Sequence, residues 1–264
     1  ASDVYKRQAQ ESMIITNAHQ INSGKGPNLT GDTSRDFFFI EVDEVDQVAE
    51  QIGLLVQSRL PNHYGFDPFD DVQVLCPMRR GVVGSENLNK LLQNLLNPSN
   101  SGMINSGSMF RVGDKVMQIR NNYEYDVFNG DIGRVEGIDQ VDKVLQIRFP
   151  DKIVDYDMAD LNELVLAYAT TVHKSQGSEY QAVILPLVTQ HYMMLQRNLL
   201  YTGITRAKKI VVLIGSKRAL NICVHNNKVT DRNTHLSARL QERIIAVTND
   251  QNRLDRADYS LSGL

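Results

Sequence analysis

Residues 182–216 pass from AVILPLV, through the amphipathic run MMLQRNLLYTGITRA (193–207), to KIVVLIGS. Two strand-length segments that are apolar on both faces, joined through a helix, fit a mainly parallel sheet covered by helices. The same alternation is predicted upstream. DFFFIEV (36–42) and VQVLCP (72–77) read as buried strands. Between them, EVDQVAEQIGLLVQSRL (44–60) places Val45, Val48, Ile52, Leu55 and Val56 on one helical face, and Pro61 is expected to end it. GSENLNKLLQNLLNP (84–98) reads as a helix capped by Ser85, with Leu91, Leu92, Leu95 and Leu96 facing inward. Further on, LVLAYA (164–169) reads as a strand and TTVHKSQG (170–177) as a short helix opening on threonine and closing on glycine. SMIITNAHQI (12–21) is read as one more strand and NSGKGPNLTGD (22–32) as a loop. The fold class is α/β.

Residues 101–160 break the alternation. Short alternating runs (MFRVGDKVMQIR, FNGDIGRVEGID, KVLQIRFPD) arrive with turn signals about every ten residues, the pattern of a small β-barrel. The barrel is read as an insert. Its Tyr123, Tyr125 and Phe128 lie beside Asn121, Asn122 and Asn129, so they either stack on unpaired bases or form the barrel's own core.

At 264 residues and 42% hydrophobic, the chain suits one large domain carrying an insert. Its apolar runs are too short for a membrane span, and no secretory leader is read at its start. Cys76 and Cys223 stand in apolar contexts without metal-ligand spacing, as reduced packing residues of a cytoplasmic protein. A net charge of −3 argues against a polybasic binder. Its distribution is uneven, however. Residues 161–220 hold seven Lys/Arg against two acids, a balance of +5, while 108–160 hold seven against eleven, a balance of −4. A phosphate-bearing ligand is expected to meet the later segment. Parallel sheets take ligands at the carboxyl ends of strands. That points to Pro77–Gly81, Thr170–Gly177 and the end of the 193–207 helix.

Four stretches, PMRRGVVGSENLN (77–89), GDKVMQIRNNYEYDVFNGDIGRV (113–135), YATTVHKSQGSEY (168–180) and YTGITRAKK (201–209), together resemble the C-terminal half of RecD-like helicases, superfamily 1 enzymes that move 5′ to 3′ on DNA. The resemblance covers roughly residues 12–240, with the motifs in the family's order. It implies a second RecA-like domain over 36–100 and 161–245, holding an SH3-like barrel at 101–160. Residues 1–35 become a ragged linker from a first RecA-like domain, and 246–264 a polar tail. ATP with Mg2+ is implied in the cleft between the two RecA-like domains, held mainly by the first. Single-stranded DNA and duplex junctions are the implied partners, and no membrane is.

On a helix, Thr202 and Arg206 share a face. The fixed charge and fork of a guanidinium suit a phosphoryl-transfer transition state, although an arginine here also suits the helix C-terminal dipole. The resemblance makes Arg206 the arginine finger and Thr202 a nucleotide neighbour. It makes Arg80, rather than Arg79, the arginine that approaches the γ-phosphate, while Gly81 and Gly84 would let backbone come near a ligand. In the 168–180 stretch a short helix presents free N–H groups as a phosphate seat. By resemblance Thr170, Thr171, His173 and Lys174 touch the DNA backbone, Glu179 reaches the nucleotide ribose, and Gln176–Gly177 bridges the two sites. Tyr123 is the barrel's candidate DNA contact.

No G-x-x-x-x-G-K-[ST] pattern occurs; SGKGPN (23–28) lacks both the leading glycine spacing and a following Ser/Thr. The chain is expected to be the C-terminal part of a larger enzyme, without ATPase activity alone. VHKSQG also resembles the telomere-maintenance and conjugative-relaxase helicase branches, and RNNYEYDVFNGDIG favours the RecD-like one. A non-catalytic binding or regulatory module that keeps the helicase fold is the rival from another class.

Overall fold

The computed structural model describes residues 12–29, 36–99, 101–105 and 107–227. All belong to the first of the chain's two units, Ala1–Asn227 and Lys228–Leu264. Of the ragged linker expected over 1–35, residues 1–11 and 30–35 lie outside the described residues, as does the tail expected over 246–264. The chain begins with α1 (Met13–Asn22) and β1 (Phe37–Glu41). Next, α2 (Val45–Leu54) runs through a π turn at Leu55–Arg59 into α3 (Leu60–Tyr64). β2 (Val72–Cys76) and α4 (Ser85–Leu96) follow. β3 (Met103–Asn105) and β4 (Ser108–Phe110) form an antiparallel pair. Then come β5 (Lys115–Gln118), β6 (Ile132–Asp139), β7 (Val144–Arg148), β8 (Ile153–Tyr156) and β9 (Leu164–Leu166). β10 (Ala169–Thr171) leads through a 3-10 turn, Val172–Ser175, to β11 (Tyr180–Leu187). A second 3-10 turn, Thr189–Met194, precedes α5 (Arg197–Ile204), β12 (Ala207–Gly215) and α6 (Lys217–His225).

One sheet has the order β1–β12–β11–β2–β10, and every neighbouring pair is parallel. Both faces are buried, as strands apolar on both sides require. Val183, Leu185, Val211 and Leu213 pack with Ile14, Ile21, Leu199 and Leu220 of α1, α5 and α6. Val74, Ile184, Val212 and Ile214 pack with Val48, Ile52, Leu88 and Leu92 of α2 and α4. The second sheet, β8–β7–β6–β5–β9, is antiparallel and encloses Val116, Val135, Leu145, Ile147 and Tyr156. It is the SH3-like insert, and the parallel sheet with flanking helices is the RecA-like frame.

Five local expectations are corrected. Residues 12–21 are helix, not strand: Ile14, Ala18 and Ile21, four and three apart, are buried on one face. The helix start is capped from a distance, with the Met13 N–H and the Ser12 hydroxyl both donating to the Asp36 carboxylate. Pro61 does not end its helix, which continues to Tyr64 and stops at Gly65 in the left-handed region. The π turn just before the proline widens the ring of carbonyls that the pyrrolidine would otherwise strike. Gly84, not Ser85, is the N-cap of α4, and Leu95 is exposed while Leu88 and Leu92 carry the inward face. LVLAYA is two strands, not one: Leu164–Leu166 pairs with β5, and Ala169 starts a strand that pairs with β2. Thr170 and Thr171 belong to that strand rather than to the helical turn after it.

Candidate functional site

α5 ends against β11. A Cβ on Gly203 would lie 2.3 Å from Leu185 Cδ2, so glycine lets the helix sit close enough to start β12 at Ala207 beside Tyr180. This junction fixes Arg206. Its backbone carbonyl accepts from the Tyr180 N–H at 2.9 Å. The half-buried guanidinium donates to the Thr202 carbonyl through Nε and to the Ser178 carbonyl through Nη1, each at 3.3 Å. Nη2 lies 3.5 Å from Thr205 Oγ1. All these acceptors are neutral, the bonds are long, and among the described residues no carboxylate pairs with it. Exposed Glu179, next to Tyr180, pairs instead with Lys208 at 3.3 Å. Thr202 contributes its carbonyl here. Thr202, Glu179 and Arg206 therefore share the amino-terminal ends of β11 and β12, not the carboxyl ends where the α5 terminus was expected.

The carboxyl ends carry the rest. The loop after β2 turns at Gly81 (φ +101) and folds onto the start of α4, where the Arg79 carbonyl accepts from the Glu86 N–H at 3.0 Å. A Cβ on Gly84 would sit 2.4 Å from the Arg80 carbonyl oxygen, so the Arg79–Arg80 turn requires glycine there. Arg79 pairs with Glu86 at 2.8 Å, and Arg80 is exposed without an acidic partner among the described residues. β10 ends at the same level as β2, Thr171 opposite Cys76, and delivers exposed His173 and Lys174 to this rim. Burial first, then the nearby Arg79 charge, hold the Lys174 amine below its ordinary pKa. Thr170 is buried, and its hydroxyl has no hydrogen-bond partner among the described residues. Exposed Gln176 and Gly177 lie on the stretch from this rim back to the Glu179 end. The structure thus groups Arg206, Thr202 and Glu179 at one end, and Arg80, Thr171, His173 and Lys174 at the other. Tyr123 joins neither group. It is 79% exposed on the barrel and packs edge-on to Phe128 at 6.1 Å. Tyr125 of the same stretch turns inward onto Tyr156 and donates to Asp160.

Two features escaped the sequence reading. His191 is buried behind the carboxyl rim, its Nε2 3.6 Å from where a Gly81 Cβ would stand, and burial lowers its pKa. A lone histidine after an apolar strand was its only signal. The second is Asp114, fully buried, whose carboxylate accepts from Gln93 of α4, Asn97 just past its end, the Tyr168 hydroxyl and the Arg111 N–H. Asn89, one turn earlier on α4, donates to the Leu166 and Ala169 carbonyls. One polar stripe of α4 thus ties the barrel to the sheet.

The ATP-dependent RecD-like DNA helicase SH3 domain matches residues 88–149, and the UvrD-like helicase C-terminal domain matches 166–214. The ATP-dependent RecD2 DNA helicase of Deinococcus radiodurans is 36% identical over 235 residues, covering 89% of this chain and 31% of that protein. The RecBCD enzyme subunit RecD of Buchnera aphidicola subsp. Acyrthosiphon pisum is 35% identical over 174 residues, covering 62% of this chain and 28% of its own. The chain spans about a third of the length of these curated relatives. Among solved structures, Pif1 helicase from Candida albicans aligns over 81% of this chain and 55% of its own at 14% identity and a TM-score of 0.47, too loose a likeness to bear on function. A parallel sheet holding an SH3-type barrel, with these motifs in this order, defines a superfamily 1 helicase region. The chain is a RecD-like helicase region, with matches to that family's SH3 domain and to the UvrD-like C-terminal domain. Among the described residues, no helix is long and apolar enough to cross a membrane.

Proposed function

We propose that this chain is the C-terminal motor domain of an ATP-dependent 5′-3′ DNA helicase, closing over a nucleotide held mainly by a first RecA-like domain. The observation that carries this reading is Arg206: a half-buried guanidinium held by neutral oxygens and, among the described residues, left without a carboxylate. Such a charge fits a phosphate arriving from outside the chain, and the Thr202 and Ser178 carbonyls hold the fork's orientation ready for it. Bound ATP with Mg2+ would supply the phosphoryl group. Arg206 offsets charge on that group, and Glu179 stands close enough in sequence and space to meet the ribose. Arg80 belongs to the same reading by its motif, although it leaves the opposite end of the sheet. Thr171, His173 and Lys174 grip single-stranded DNA at the carboxyl rim. The domain limits proposed are 36–100 and 161–245, with the barrel between them.

The test is Arg206→Ala in the complete helicase. ATP turnover is expected to fall about a thousandfold or more, while affinity for single-stranded DNA stays within about twofold. Lost DNA affinity with turnover intact would overturn the assignment. The 264-residue chain alone is expected to hydrolyse no ATP, and DNA-stimulated hydrolysis by a clean preparation would contradict the two-domain reading.

A further inference from the structure

Among the described residues, Tyr64 is 37% exposed and stacks on Phe66; the remaining exposed aromatic surface lies in two places, and charge separates them. On the barrel, Tyr123 and Phe128 stand in residues 121–131, which hold Glu124, Asp126 and Asp131 and no Lys or Arg. Lys152 pairs with Asp126, and the two remaining carboxylates make this patch a poorer seat for a phosphodiester strand than the carboxyl rim. The other place is the 3-10 turn Thr189–Met194 after β11, where Tyr192 is 59% and Met193 79% exposed. This turn is anchored rather than loose. The Leu195 N–H donates to the His191 and Tyr192 carbonyls, the Leu195 carbonyl accepts from Asn226, and His191 is buried against Gly81. Gly81 follows Arg80 directly, and Arg79 is close enough to Lys174 to depress its pKa. An exposed ring and thioether therefore sit on the same rim as cations, and neither Arg80 nor Lys174 has an acidic partner among the described residues.

We propose that Tyr192, flanked by Met193, is a stacking platform for an unpaired base of the single strand whose phosphates lie on Lys174 and the Arg79–Arg80 turn. This rests on the reading that the carboxyl rim binds single-stranded DNA and adds the residue that reads the base face. Arg80 and Lys174 supply the backbone attraction and an aromatic face supplies the sequence-tolerant stack, the combination that single-strand grooves use. The rigid turn matters because a ring already held outward loses little freedom on binding. A protein partner on the same turn is the competing occupant.

The test compares the full-length helicase with its Tyr192→Ala and Tyr192→Phe variants by fluorescence anisotropy, on labelled oligothymidylate and on an abasic strand of equal length. Tyr192→Ala is expected to weaken oligothymidylate binding about tenfold, leave abasic binding unchanged, and keep the salt dependence. Tyr192→Phe is expected to bind like the parent. Lys174→Ala should weaken both strands alike and flatten the salt slope by about one. An unchanged oligothymidylate affinity for Tyr192→Ala, or equal losses on both strands, overturns the platform and leaves the turn to a protein partner. If Lys174→Ala also changes neither strand, the DNA reading of the rim itself fails.

Discussion

Lys115 lies in β5 with its side chain buried between the barrel and the sheet. Its ammonium meets the Val72 carbonyl at 3.4 Å and the Tyr180 ring at 5.7 Å. Burial pushes its pKa from the ordinary 10.5 down to about 8, against an opposing pull from Asp70, Asp67 and Asp71. Such a drop is a destabilisation on the order of 3 kcal/mol at neutral pH. Between about pH 8 and 10.5 the unfolded chain keeps a proton that the folded chain has lost, so stability rises with pH across that window and is flat below it. Lys115→Met fills the same space without the charge. It is expected to raise stability at pH 7 by about 2–3 kcal/mol in urea unfolding and to remove the alkaline rise. A less stable variant would show that the amine's contacts outweigh its lost hydration. Nothing in GDKVMQ marks this lysine as buried, because alternation in a barrel strand says which residues share a face and not which strand covers them.

At the scale of elements, α4 does two jobs with one surface. Leu88 and Leu92 pack under the parallel sheet, while Asn89 and Gln93, with Asn97 just past the helix end, reach the segments where the chain enters and leaves the barrel. Asp114 gathers four donors there and, among the described residues, no ion-pair partner, so dipoles balance its charge. Asp114→Asn would turn an amide against those donors. The expected loss is about 2–4 kcal/mol in urea unfolding, with faster proteolysis at 99–113; a loss under about 1 kcal/mol would mean that the network is slack. Elements whose signal is local were legible in the sequence: β11 and β12 from apolar runs, the barrel from its turn spacing, α2 from its period. Others depended on distant chain. α1 needs Asp36 as its cap, 24 residues from Ser12, and LVLAYA divides because each half pairs with a different sheet. Asp114 and Tyr168 meet across 54 residues. The candidate site followed the same rule. The motifs named Arg206, but its place at the amino ends of strands came from register, which the motif does not carry.

Across the whole described unit, the two rims lie at opposite ends of one sheet, separated by roughly 20 Å along β2 and β11. Residues 172–179 run from Thr171 at one end to Tyr180 at the other, with His173 and Lys174 early in the crossing and Glu179 at its close, and α5 crosses between the same ends. A rigid crossing would let a displacement at the carboxyl rim reach the Ser178 carbonyl that holds Arg206. Gly177 is the critical joint. Its φ is +91, and a Cβ there would meet nothing within 4 Å, so Gly177→Ala acts through backbone strain without a clash. Relief of about 1–2 kcal/mol of strain pulls the crossing toward another path. In the complete helicase the variant is expected to lose several-fold in DNA-stimulated ATP turnover while binding single-stranded DNA within about twofold of the parent. Rates measured with and without oligothymidylate check this. Unchanged stimulation in a variant that is measurably less stable would mean that the rims communicate by another route, and the barrel seam at Lys115 and Tyr180 would be the next to test.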